Sequence, residues 1–251
     1  MVYYSLTEVP RDLREGIDWL LAVKGTDGHG LKELIAAVYR FLYRQPVGLI
    51  RLTPIEDIKR IFKKFLEQRA LKDKAFAGAM LKRLKTPMEK NPNATLKVLK
   101  GIKDSDHMTL KTRGVTYDSM ANDFNTLVDS LEKFLDDIKN PDQYRSYYSS
   151  EATWSDSCSE RPEDCAMIFV GIAPILYVGM QAMFDASSNG VVGLKMFRAK
   201  DHLERVLFAL GYVEPEIRAN MSSADLRSAL GVMNKAVMNT IYDLAGFWAF
   251  Y

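Results

Sequence analysis

The chain has 251 residues, of which 47% are apolar and 26% charged, and a net charge of +2. That much apolar surface offsets chain entropy and excludes wholesale disorder, and two cysteines exclude a dense disulfide scaffold. A charge this near neutral names no partner, and the opening Met1–Glu8 has neither the basic nor the apolar stretch of a classical secretory signal.

The first predicted helix runs from Pro10 to Val23, with Ser5 or Thr7 as its cap and Leu13, Ile17, Leu20 and Leu21 on one face. Glycines at 25, 28 and 30 stop it. A second helix covers Leu31 to Tyr43 and ends before Pro46 and Gly48. Thr53 and Pro54 open a third, whose stripe is Ile55, Ile58, Ile61, Phe62, Phe65 and Leu66. Ala75 to Leu84 continues that helix or starts a fourth, ended by Thr86-Pro87. From Met88 to Tyr117 the pattern weakens to a short helix between mobile loops, an insertion at about 88–116.

Asp118 to Ile138 is a clear helix, ended by Asn140-Pro141. The stretch 144–161 reads as a polar loop, with Tyr147, Tyr148 and Trp154 among serines. Ala166 to Phe184 is apolar on every side apart from Gln181. It is either the central core helix of a helical domain or a membrane span. Asp164 and Asp185 bracket it and no Lys/Arg flank follows, while the amphipathic helices elsewhere need an apolar partner. These features favour the core. Ala186–Gly190 is a turn, and Val191–Leu194 is too short to count as a strand. Leu203, Val206, Leu207 and Leu210 mark a helix ended by Gly211. Ser222–Asp225 opens a last helix, expected to continue from Leu226 to Tyr251. The expectation is one all-α domain over 1–251, seven to nine helices around the apolar helix at about 166–184.

Charge is segregated. Between Arg51 and Arg113 there are 17 basic residues against 7 acidic, and between Gly114 and Cys165 there are 4 against 12. Lys59, Arg60, Lys63, Lys64, Lys82 and Arg83 lie in the basic block, on the helices at 54–85. They form either a solvated face, neutralised by the acidic helix, or a patch for an acidic partner such as anionic lipid or glycan. Nucleic acid is not expected, because no zinc, helix-turn-helix or RNA-recognition pattern accompanies them.

Catalytic patterns are missing. His29, His107 and His202 have no second ligand at metal spacing. The glycines at 25–30 lack a P-loop lysine, and there is no nucleophile elbow. Asp136-Asp137 reads as a solvated pair near a helix end. No cofactor, metal or enzyme is expected. Asn93-Ala-Thr95 and Asn220-Met-Ser222 match the glycosylation acceptor pattern, which arises often by chance. Cys158 and Cys165, with Pro162 between them, are either a disulfide that staples the Trp154 loop to the start of the apolar helix or two free thiols.

Two segments carry a resemblance. Leu6-Thr7-Glu8, Pro10, Leu13, Glu15, Ile17-Asp18-Trp19 and Gly25-x-Asp27-Gly28 resemble the opening of the variant erythrocyte surface antigens of Babesia parasites. Phe169–Gly179 and Leu207–Tyr212 are similar to that family's later apolar helix and its Gly-Tyr element. Together they cover about a third of the chain. The resemblance implies a non-enzymatic protein exported to the infected erythrocyte or its surface, acting in host-cell adhesion or immune evasion. Its partner would be a host-cell receptor or a parasite protein, met by the loops at about 88–116 and 144–161. Export out of a reducing compartment would favour the Cys158–Cys165 disulfide. Family members are usually longer, richer in cysteine and end in a transmembrane helix, so this chain is expected to be a short, cysteine-poor member or relative with no confident membrane anchor. The alternative is a helical scaffold that binds an acidic partner through the basic helices.

Overall fold

The computed structural model describes residues 2–48, 50–85, 108–188, 196–213 and 215–251. In chain order its helices are α1 (Leu13–Lys24), α2 (His29–Tyr43), α3 (Thr53–Leu66), α4 (Ala75–Lys85), α5 (Tyr117–Ile138), α6 (Trp154–Ser157), α7 (Pro162–Ser188), α8 (Met196–Ala209), α9 (Ser223–Ala229), α10 (Lys235–Leu244) and α11 (Phe247–Phe250). Eight of these reach ten residues or more, and the β-type pairings among the described residues are two isolated bridges, Tyr3 with Tyr148 and Lys139 with Ile217. The fold is all-α.

The apolar run becomes α7, extended to 27 residues at its start because Pro162 suits a first turn and Glu163 and Asp164 favour the positive end of the helix. It is extended at its end through Ala186–Ser188, where a turn was expected but the Ser187 and Ser188 hydroxyls donate back to the Phe184 carbonyl. α1, α2, α3, α8, α9 and α10 all pack against it. Phe169, Val170, Ile172, Leu176, Val178 and Met183 have no exposed surface. α7 is long and apolar enough to cross a membrane, but 78% of its most apolar window is buried inside the fold, so protein occupies the positions that lipid would take. Small residues set the close crossings. A Cβ at Gly179 would lie 2.8 Å from Leu13 Cβ, and one at Gly171 2.7 Å from Ile58 Cδ1. On the opposing helix a Cβ at Gly16 would lie 2.9 Å from Leu176 Cδ2. α1 and α3 therefore meet α7 at glycines.

Three sequence expectations are corrected. α1 starts at Leu13 rather than Pro10, because Asp12 supplies the cap and accepts from the Glu15 amide at 2.9 Å. Ser5 and Thr7 hydrogen-bond one another instead, at 2.8 Å. The expected continuous helix from Leu226 to Tyr251 breaks twice. The Asn234 side chain accepts from the amides of Ala236 and Val237 and starts α10 afresh, and Gly246 turns the chain with a φ of 63°. The third correction concerns 144–161. This stretch is mainly irregular and includes α6, but Tyr148, Ala152, Trp154 and Cys158 are buried, the half-buried Ser157 hydroxyl accepts from the Leu6 amide, and Ser146, Ser150, Ser155 and Ser159 are exposed. It is a strap across the N-terminal part of the chain, held by Tyr3 N–H to the Tyr147 carbonyl at 2.7 Å and Ser149 N–H to the Tyr3 carbonyl at 2.9 Å.

Cys158 and Cys165 are joined as a disulfide, with Cα atoms 6.0 Å apart, linking the end of α6 to the first turn of α7. The short helix and loops expected between Met88 and His107, the Asn93 triplet and the Val191–Leu194 run lie outside the described residues. The end of that expected insertion, 108–116, turns onto the core through buried Leu110 and then caps α5 with Thr116.

Candidate functional site

Charged groups are buried together at one place, the N-terminal half of α1. Leu13 and Ile17 point to the core, which turns Arg14 and Asp18, one helical turn apart, toward the strap and the segment after α8. Arg14 is 2% exposed. Its guanidinium pairs with both carboxylate oxygens of Glu216 and donates to the carbonyls of Arg145 (2.7 Å) and Gly211 (3.3 Å). It also lies between the rings of Tyr144 and Tyr147, 4.7 and 4.6 Å from their centroids. Asp18 accepts from Tyr144 Oη at 2.6 Å and from the Tyr147 amide at 2.9 Å. Glu15 accepts from the Arg11 amide and guanidinium and from Tyr3 Oη. The Trp19 indole donates to the Leu6 carbonyl at 2.7 Å.

The hub brings together the two segments that carry the family resemblance. The Arg14 amide donates to the Leu210 carbonyl, and Gly211, with a φ of 91°, passes so close that a Cβ there would lie 2.6 Å from Asp12 Oδ1. Only glycine fits both the conformation and the gap. Asp18 and Glu15 hold polar contacts, while Leu13 and Trp19 fill the core. Residues that look like a motif in the sequence are thus the ones that specify the scaffold.

Burial shapes the titration of the hub. Desolvation raises Asp12 to about 7 and Asp18 to about 6, against the pull of Arg14. Burial, with the Glu15 charge, pushes Tyr3 up to about 12. Both aspartates hold protons in the folded chain that the unfolded chain has released. The stability they contribute is complete below the ordinary aspartate range and is lost as pH rises through 6 to 7. His202 acts in the opposite sense. Burial and Lys74 lower it, so it costs stability as pH falls below its ordinary value. With two aspartates against one histidine, thermal melts should show a decline on the order of 2 kcal/mol from pH 5 to pH 8. Asp12→Asn keeps the cap and should flatten the decline above pH 6; an unchanged slope would show that Asp12 is not its source.

The basic residues divide. The Lys59 ammonium bonds Glu56 and the Phe250 carbonyl and lies 4.9 Å from the Tyr251 ring centroid. Arg83 lies over the rings of Phe247 and Tyr242. These two hold the C-terminal aromatics in place. Arg60 pairs with Asp57 and Lys63 with Glu67 on their own helix, and Lys64 and Lys82 are exposed. Arg60, Lys63, Lys64 and Lys82 therefore remain at the surface.

Other groups lie apart. His29 is exposed at the start of α2, and His107 is outside the described residues. Asp136 pairs with Lys139, and Asp137 is exposed. No group of three His, Cys, Asp or Glu residues that could hold a metal occurs among the described residues. An open cleft of about 1140 Å³ lies between the 68–74 turn, α8 and the 212–221 segment. At its edge Lys74 joins Asp185 of α7 to His202 of α8.

The hub was not legible as a unit, although one signal pointed to it: Arg14 and Asp18 sit at i and i+4 beside the apolar stripe, and 144–148 offers three tyrosines. Glu216 stands 202 residues from Arg14, beyond the reach of any local pattern. In comparisons with known proteins, no family model, curated protein or solved structure matches the chain.

Proposed function

We propose that this chain is a non-enzymatic exported antigen of the variant erythrocyte surface antigen type, acting in host-cell adhesion or immune evasion through its surface loops. The observation that supports this reading is the hub. Leu13, Glu15, Ile17, Asp18, Trp19, Gly179, Gly211 and Tyr212, all from the resembling segments, meet around α1. A scaffold specified from within leaves exposed positions free to vary. On the strap these include Ser146, Ser150, Glu151, Ser155, Asp156 and Glu160. The strap stays anchored by Tyr148, Trp154 and the disulfide while its outer face changes. An antibody to the folded chain should label intact, non-permeabilised infected cells. Labelling that requires permeabilisation would overturn surface display.

A second reading, a scaffold that binds an acidic partner, is favoured by one observation. Lys64, Lys72 and Lys82 are exposed and carry no ion pair among the described residues. Charge reversal of Lys63 and Lys64 should then abolish salt-sensitive binding to anionic vesicles. Lys59 is unsuited to that test, because its ammonium secures α11.

A further inference from the structure

Exposed aromatic side chains gather at one surface site. Tyr43 on α2 and Tyr117 at the start of α5 are each 40% exposed, and both lie against Tyr39, with ring centroids 5.4 and 5.7 Å away. The Tyr117 ring meets Tyr39 edge-on, which leaves aromatic surface turned outward. The platform is rigid below. α2 buries Val38 and Leu42 beneath the tyrosines, and α5 buries Met120 and Phe124. Arg40 and Arg44 follow Tyr39 and Tyr43 by one residue each. At about 100° per residue they occupy the next strip of α2, on the side away from Val38. Both are exposed, and neither has an ion pair among the described residues.

We infer that Tyr39, Tyr43, Tyr117 and Arg40, with Arg44 beside them, form a binding patch for a terminal acidic sugar, the sialylated end of a host glycan. This rests on the adhesion reading and gives its ligand a chemistry. One face of a sugar ring presents polarised C–H groups, which pack on the negative face of an aromatic ring. A sugar carboxylate matches the planar fork of a guanidinium and forms paired, charge-assisted hydrogen bonds. A sulfated polysaccharide would call for a long basic track, whereas this patch supplies two arginines beside three rings. Tyrosine and arginine also lead at protein–protein contacts, so a protein partner is the competing outcome.

The test uses the purified chain with 3′- and 6′-sialyllactose displayed on polymer, lactose on the same polymer, and a heparin surface. Binding is expected to sialyllactose polymer and not to lactose polymer. Arg40→Glu should weaken it at least tenfold, because a charge-assisted hydrogen bond is lost and a repelling carboxylate gained, and Tyr43→Ala about tenfold, because the ring that the C–H face packs on is gone. Both are surface changes, and melting curves close to that of the parent chain exclude unfolding as the cause. No binding to the sialylated polymer, equal binding to lactose, binding to heparin alone, or full binding by both variants overturns the inference. Cell binding that survives neuraminidase but is lost in Tyr43→Ala assigns the patch to a protein partner and overturns the sugar. Failure of the patch leaves the adhesion reading standing if intact cells are still bound. Absence of the chain from the cell surface removes the adhesion reading itself.

Discussion

Leu176→Asp is expected to leave the chain without a cooperative unfolding transition at 25 °C. Leu176 has no exposed surface, and its Cδ2 fills the gap opposite Gly16 where α1 crosses α7. An aspartate there would be either ionised in an apolar site or protonated with no partner, at a cost of several kcal/mol in each case. The cavity left by the leucine adds about 2–5 kcal/mol. Together these rival the whole stability of a typical domain, about 5–15 kcal/mol. Near-UV circular dichroism and a urea titration read the outcome. Leu176→Ala should lower the midpoint and keep the transition. If Leu176→Asp stayed folded and only left a membrane fraction, α7 would be a lipid-facing span and the arrangement of helices around it would be wrong.

Arg14→Met should cost about 3–5 kcal/mol, the range for removing one partner of a buried pair. The methionine fills much of the same volume between Tyr144 and Tyr147, so packing loss is small. What remains is a Glu216 carboxylate without its cation and the carbonyls of Gly211 and Arg145 without donors. Arg60→Met is the control. Arg60 also pairs with a carboxylate, but its side chain and that of Asp57 are 74% and 52% exposed, and its loss should cost less than about 1 kcal/mol. Adding Glu216→Leu to Arg14→Met should restore part of the loss, because no lone charge is then left behind. Denaturant midpoints at constant slope measure all three. A loss below about 1 kcal/mol for Arg14→Met would mean that apolar contacts and the Asp18 and backbone hydrogen bonds hold α1, the strap and the post-α8 segment without help from the ion pair.

Much of the fold was legible because apolar period and punctuation agree. α2 and α5 fall within two residues of their expected bounds, since each has an unbroken stripe and a clear stop, while α3 had a clear start and stripe but no stop signal. α7 was legible from composition, its apolar residues leaving no polar face to expose. The failures share a cause, short-range competition between polar side chains and backbone. Asp12 took the cap from Ser5 and Thr7, and Asn234 broke what the Leu230–Ile241 spacing suggested was continuous. The strap looked polar because serines separate its aromatics in sequence, yet the chain twists the aromatics to one side. Of the six basic residues marked in advance, Lys59 and Arg83 turned inward toward aromatics supplied by the last five residues, 160 or more positions away.

The Arg14–Glu216 pair also bears on how the molecule is made. Its partners are 202 residues apart, and the contact of Lys59 with the Phe250 carbonyl spans 191. Closing such loops is slow, and it must await synthesis of the distal partner. During elongation the chain can form local helices, but α1 has no counter-ion for Arg14 until Glu216 has left the ribosome, and α3 has no cover for Lys59 until α11 has followed. α1 to α4 can dock on α7 once residue 188 has emerged, but the Arg14 hub and the Lys59 contact close only when their distant partners have followed. A chain stopped before Glu216 would therefore keep its helices and much of its apolar packing while Arg14 stood without its counter-ion, so the most distant contacts decide when the structure is complete.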